Sequence, residues 1–335
     1  MSWVFKPVVR DEDTMNNHRQ YGSGTYRWGT FVVFAFTFAL IIVGTLSAVH
    51  ADEMSEKSFA TPEQAADALA SAWHSGTKDD LIEIFGSAGE MLVNSGDPIA
   101  EKHARERLAA SFDKAHRIEI DGDRKATLIL GDDAWPYPIP LVKQGAEWRF
   151  DVKAGAEQIL DRRIGRNELN AIRVSRAYVG AQQDYAVETA ADDNLHEYAQ
   201  KVVSSQGKHD GLYWRAVGSD KESPLGPLVA TAESRGYGTA SAQGRAPFQG
   251  YYYKILTQQG KAAPGGAKSY IVDGHMTGGF ALLAYPAKYG DSGIMTFIVN
   301  QNGVVFEKNL GPATAQTGAA VTVYDPDETW KAVGP

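Results

Sequence analysis

The stretch Ile294-Met295-Thr296-Phe297-Ile298-Val299-Asn300-Gln301-Asn302-Gly303-Val304-Val305-Phe306-Glu307-Lys308 decides the fold class. Two runs of β-branched and aromatic residues flank an Asn-Gly pair. That is the strongest short-range hairpin signal, because both residues tolerate the positive φ of a tight turn. Strands are expected over residues 294–300 and 304–308, joined across Gln301-Asn302-Gly303. Further strands are expected at 251–256, 270–272 and 279–285, each bounded by Gly, Pro or polar turn residues.

Working outward, residues 205–250 are rich in Gly, Pro and Ser and read as one irregular loop, long enough to be either packed on something or functional. Before it, 194–204 reads as a helix. Residues 156–189 read as a long helix with Leu169, Ile172, Ala177, Ala181 and Tyr185 as its buried stripe. Arg162, Arg163, Arg166, Arg173 and Arg176 dominate the first half of that helix. A long helix feeding an antiparallel meander is α+β architecture, pilin-like by fold-level analogy. Nearer the N-terminus, Thr61-Pro62-Glu63-Gln64 has the cap, first-turn proline and glutamine that open a helix, which Gly76 can end. Helices at 79–85, burying Leu81, Ile82 and Phe85, and at 98–115, turning Leu108 and Phe112 inward, are followed by short strands at 117–120, 125–130, 139–142 and 147–152. The expectation is two α+β domains, 52–155 and 156–335, behind an N-terminal segment, 1–51.

That segment contains Phe31 to Val49, nineteen residues without a charge, preceded by Arg27 and followed by Val49-His50-Ala51 and then Asp52-Glu53. A basic flank, an apolar run and a small-residue triplet mark a signal peptide cut after Ala51. At ~1.5 Å per residue the run spans about 28 Å, so it also suits an uncleaved signal anchor. Either way the body is expected on the periplasmic side, touching membrane only through residues 31–49. Met15 offers an alternative start that drops the acidic run Asp11-Glu12-Asp13.

The 335 residues are 43% apolar and 22% charged, with net charge −8. The first 51 carry +1 and the remainder −9. An acidic body lacks the basic footprint of a nucleic-acid binder. There is no cysteine, which removes thiol nucleophiles, Fe–S clusters, Cys-ligated zinc and disulfides together.

Several segments resemble one bacterial family. They are Ala177-Tyr178-Val179-Gly180-Ala181-Gln182-Gln183-Asp184-Tyr185, Gly207-Lys208-His209-Asp210-Gly211-Leu212-Tyr213-Trp214, Phe248-Gln249-Gly250-Tyr251-Tyr252-Tyr253 and Tyr289-Gly290-Asp291-Ser292-Gly293. Ser223-Pro224-Leu225-Gly226-Pro227, Gly278-Gly279-Phe280-Ala281-Leu282 and Tyr324-Asp325-Pro326-Asp327 complete the set. The family is domain of unknown function 2950. The resemblance implies an exported envelope protein of Gram-negative bacteria and brings no catalytic residue with it.

Chemistry-bearing constellations are sparse. His209, Asp210, Glu233 and His275 are the candidate catalytic residues, since imidazole beside carboxylate is what acid–base work requires. Adjacent residues such as His209 and Asp210 usually point apart, so a turn-holding role competes with that one. The histidines show no metal-ligand spacing, and no metal or cofactor is expected. Ser205-Gln206-Gly207-Lys208 and Ser111-Phe112-Asp113-Lys114 fit Ser-x-x-Lys without the companion motifs of serine acyl-transfer enzymes. Asp325-Pro326-Asp327-Glu328 lacks calcium-loop spacing and reads as a solvated turn. Tyr213, Trp214, Tyr252 and Arg235 are candidate binding residues, because aromatics gather in the C-terminal half and alternation turns Tyr252 away from Tyr251 and Tyr253. The function expected is a non-enzymatic envelope accessory or interaction module with an envelope protein partner. The alternatives are a periplasmic hydrolase or cell-wall-modifying enzyme, and a glycan or small-ligand binder with its pocket under residues 205–250.

Overall fold

Thr61 Oγ1 accepts a hydrogen bond from Gln64 N at 3.2 Å, and this cap starts α1, Pro62–Ser75. The computed structural model describes residues 55–334 apart from 194, 217–220 and 245. The apolar run at 31–49, the cleavage triplet and the alternative start lie outside the described residues. Gly76 takes φ +72 to end α1. Thr77 caps α2, Lys78–Phe85, in the same way. A short turn then leads to α3, Glu90–Val93, and Asp97 caps α4, Pro98–Lys114. In α2 it is Ile84, not Ile82, that joins Leu81 and Phe85 in the core, because 81, 84 and 85 share one helix face.

Five antiparallel strands follow: β1 His116–Asp121, β2 Lys125–Leu130, β3 Trp135–Pro136, β4 Leu141–Gln144 and β5 Glu147–Phe150. Their order is β1-β2-β4-β5, with β3 also on β2. Leu69, Trp73, Phe85, Leu128, Leu141 and Phe150 form the centre of the core between this sheet and the helices.

Asp151 accepts from Ala154 N at 3.1 Å and opens α5, Val152–Asp193, which starts earlier and ends later than its periodicity indicates. At ~1.5 Å per residue its 42 residues make a rod of about 63 Å. Its buried line runs through Asn167, Ala171, Ser175, Tyr178, Gln182 and Tyr185, whereas Leu169 and Ala177 are exposed. An apolar-only reading misses that line because three of its members are polar. Each is satisfied: Ser175 Oγ donates to Ala171 O, Gln182 clasps Ala199 through both N and O, and Asn167 Nδ2 donates to Ser292 O.

The segment expected as a helix at 194–204 is irregular over 195–204 instead, with isolated β-bridges from Tyr198 to Met276 and from Val203 to Tyr213. Its backbone is claimed by other chains of hydrogen bonds: Tyr198 N donates to Met276 O, and Tyr213 N to Val202 O. Within 205–250 the structure forms α6, Gly226–Ser234, and α7, Thr239–Ala242, which lie over the second core. Then come β6 Tyr251–Leu256, the short β7 Gln258–Gln259, β8 Lys268–Ser269, β9 Ile271–Val272 and β10 His275–Met276, followed by β11 Ala281–Pro286, β12 Met295–Asn300 and β13 Phe306–Asn309. Helix α8, Thr314–Ala320, and β14, Lys331–Ala332, complete the chain. The main sheet is antiparallel in the order β14-β13-β12-β11-β6, so the α+β class and the meander are both present. The β12–β13 pairing starts at Ile298↔Phe306, so the chain from Asn300 to Phe306 makes a connection wider than an Asn-Gly turn. Val305 O accepts from Val333 N, and this second partner holds the chain away from the tighter register. Among the described residues no helix is long and apolar enough to cross a membrane.

The second core, built on Tyr178, Leu212, Tyr251, Phe280, Leu283 and Phe297, packs against the later part of α5. The first core reaches the earlier part through Val152, Ala156, Ile159 and Leu160. Between them the buried Asp97 carboxylate accepts from Ala100 N (3.0 Å), Tyr237 Oη (2.9 Å) and Gly250 N (2.8 Å). Gly250 sits at φ +83, and a Cβ there would meet Asn167 Nδ2 at 2.5 Å. Asp97→Ala should cost about 2–4 kcal/mol in urea unfolding, since it strands the buried Tyr237 hydroxyl and Gly250 N–H. A loss below about 0.5 kcal/mol would show the junction to be dispensable.

Candidate functional site

Helices α4 and α5 each turn a basic face toward the same space. Ala104, Arg105 and Leu108 lie along one side of α4, and Ile159, Arg162, Arg163 and Arg166 along one side of α5. The three- and four-residue spacings place each set on a single face. Between them opens a cleft of about 430 Å³, whose apolar wall is made by Trp73, Phe85, Leu92, Leu108, Trp135 and Tyr137. That volume and mixed lining are those of a small-molecule site.

Five arginines line it: Arg105, Arg107, Arg162, Arg163 and Arg166. Among the described residues none has a carboxylate within ion-pair distance. Arg163 donates to Met91 O at 3.2 Å and to Leu92 O, at the C-terminal end of α3. Arg162 lies over the Trp135 ring, 5.9 Å from its centroid. Arg105 Nε is buried without an acceptor. Burial lowers the pKa of Arg163 and of Arg166, and the neighbouring Arg107 charge lowers Arg166 further. The one acid in the lining, Glu101, is already engaged: Lys78 Nζ lies 2.6 Å from Oε2, and Ser95 N and Oγ donate to Oε1 at 2.7 and 3.1 Å. The site is thus a concentration of unpaired positive charge beside aromatic surface, within a chain whose net charge is −8.

The candidate catalytic residues are not brought together. Asp210 binds Lys201 Nζ at 2.7 Å and accepts from Ser205 N (2.7 Å) and Ser205 Oγ (2.9 Å). It is Lys201, not Lys208, whose amine reaches Ser205 Oγ, at 2.8 Å, and the same amine is held by Asp210. The exposed His209 ring stacks on Trp214, with centroids 4.2 Å apart, and its carbonyl accepts from Tyr185 Oη. Glu233 on α6 faces Arg215 at 3.9 Å. His275 Nδ1 meets Glu197 Oε2 at 2.7 Å. No hydrogen bond or ion pair joins any two of the four, and among the described residues no group of three His, Asp or Glu could hold a metal ion.

Three of the candidate binding residues, Tyr213, Trp214 and Tyr252, are packed within the fold, while Arg235 is exposed. Trp214 is buried and its Nε1 donates to Lys221 O, while Tyr213 is half-buried and its backbone bridges Val203. Tyr252 stacks on Tyr285, its cross-strand partner, at 5.5 Å. The Arg235 carbonyl lies 2.6 Å from His103 Nε2. A cavity does exist under residues 205–250, lined by Leu228, Val229, Tyr237, Phe248 and Tyr253, but it holds about 70 Å³ and is almost wholly apolar. That is well below the ~300 Å³ at which ligand pockets begin.

A family model described as "Protein of unknown function (DUF2950)" matches residues 56–333. No curated protein and no solved structure matches the chain.

The hydrogen bond from Lys201, then those from Ser205, hold the Asp210 carboxyl down at about 2 against an ordinary 3.8. Because the folded value is the lower one, its contribution to stability is complete above pH 4 and disappears as pH falls through 2. Asp210→Asn should therefore lower the thermal midpoint at pH 6 and converge with the parent protein near pH 2. A gap that stays constant with pH would exclude the clip as an ionic one.

Proposed function

The chain belongs to the DUF2950 family, and on that premise we propose that it is a non-enzymatic binding protein whose cleft between α4 and α5 takes a small acidic amphiphile. The observation that carries this reading is the set of five arginines, unpaired by any carboxylate among the described residues, around an aromatic wall. Arg105 and Arg163 are half-buried while Arg107, Arg162 and Arg166 are exposed; like charges gathered in this way repel one another, the half-buried pair also loses hydration, and an anion with an apolar body relieves both costs. The separate engagements of His209, Asp210, Glu233 and His275 give hydrolytic chemistry no support in the geometry. Of the exposed large apolar residues, Ile120, Val272 and Val304 lie on separate segments and Leu169 and Val187 are about five turns apart on α5, which favours a ligand over a broad protein-docking face. The proposed place of action is outside the cytoplasm, a reading supported by the uncharged run at 31–49 and its flanks.

8-Anilinonaphthalene-1-sulfonate has the chemistry required, an anionic group on an aromatic body. It should bind the purified protein saturably, and the double variant Arg105→Gln/Arg166→Gln should weaken that binding about tenfold or more, as expected for lost charge-assisted contacts. Uncharged N-phenyl-1-naphthylamine should bind weakly to both proteins. Equal sulfonate affinity in parent and variant would remove the arginine cleft from consideration.

A further inference from the structure

We infer that the anion for which the cleft is built is doubly charged, a phosphate monoester on a compact apolar body. The inference rests on the binding reading above and narrows it. Glu101 is paired with Lys78 at 2.6 Å; its charge and that of Asp291 reach Arg163 from a distance, but neither forms an ion pair with any of the five arginines. A single negative charge would leave most of that excess standing. The guanidinium groups also approach from two walls, α4 on one side and α5 on the other. A tetrahedral phosphate presents three oxygens in different directions, while a carboxylate presents two in one plane, best matched to one arginine fork. Arg105 Nε, buried without an acceptor, is a donor left over for such an additional oxygen. Burial first, and then the neighbouring Arg107 charge, lowers the pKa of Arg166, in keeping with like charges gathered in one space. The cleft of about 430 Å³ has room for a ring-sized body beside its aromatic wall.

The charge state of a ligand in the cleft can be read by pH, because a phosphate monoester takes up its second proton near pH 6 while a carboxylate ligand stays ionised. The groups facing it are Glu101, Arg105 and Arg107 of α4, Lys78 of α2, Arg162, Arg163 and Arg166 of α5, and Tyr137, which burial pushes up. Asp291 acts on Arg163 from the second core. The nearby histidines are turned to other partners: His74 to Asp113, His103 to Arg235 O and Glu106, His116 to the Phe112 ring.

The experiment is isothermal titration of the full chain with phenyl phosphate and with benzoate at pH 5.0 and 7.5. A phosphate monoester loses its second proton near pH 6, whereas a carboxylate is ionised at both values. Phenyl phosphate should bind on the order of tenfold tighter at pH 7.5 than at 5.0 and tighter than benzoate there, while benzoate is unchanged. Arg105→Gln should weaken phenyl phosphate binding by about tenfold without lowering the unfolding midpoint of the free protein. Benzoate binding as tightly as phenyl phosphate at pH 7.5, or phenyl phosphate insensitive to pH, would overturn the inference while leaving the binding reading intact. Failure of both ligands with sulfonate binding retained would overturn it as well. Failure of all three probes would take the binding reading down with it.

Discussion

A buried carboxylate must be met by donors or it will not stay buried, and Asp97 meets that requirement with groups from both halves of the chain. Its side chain caps α4 through Ala100 N and at the same time receives the Tyr237 hydroxyl and the Gly250 N–H. The first bond is local and starts a helix. The other two bridge more than a hundred residues and fix where the segment before β6 lies against the start of α4. Once that point is set, Gly250 can approach Asn167 only because it lacks a Cβ, and Asn167 in turn holds Ser292 O. Three remote segments are thereby brought to one position along α5.

The long helix then serves both cores at once. Its N-terminal part contributes Val152, Ile159 and Leu160 to the first core, and its later part contributes Ala171, Tyr178 and Tyr185 to the second. At the changeover Glu168 accepts from Ile294 N and Met295 N, both at 2.9 Å, so a carboxylate on the helix receives the backbone where β12 begins. The cleft lies on this same stretch, with Arg162, Arg163 and Arg166 presented between the two packed regions. A charged surface needs a rigid support if its charges are to stay close together, and the shared helix, anchored at both ends, supplies one.

Much of the framework was legible in the residues. Thr61, Thr77 and Asp97 are caps whose side chains do what such positions do, and the alternation around Phe297 and Leu283 places strands with little ambiguity. The stretch 194–204 failed as a helix because its backbone partners, Met276 and Tyr213, are distant or downstream and a local pattern cannot show them. The stripe on α5 held at Ile172, Ala181 and Tyr185 and missed the rest of the buried line for a related reason, since Ser175 and Gln182 are buried by virtue of hydrogen bonds that apolar periodicity does not count. As for the site, the cluster of basic residues early in α5 was visible, but a charged helix face ordinarily means solvent. Nothing in the linear order showed that Arg105 and Arg107 of α4 stand opposite it.

The sequence by itself determined the starts of α1, α2 and α4, the main strand runs, the α+β class and the absence of any thiol chemistry, because caps, periods of two and of about 3.6, and composition are properties of neighbouring residues. Only the tertiary structure decided which polar side chains are buried, which imidazoles and carboxylates stay apart, and which arginines share one space. Those outcomes depend on distances between residues far apart in the chain, and they are set when burial forces groups such as Asp97, Asn167 and Glu168 to find donors and acceptors elsewhere in the fold.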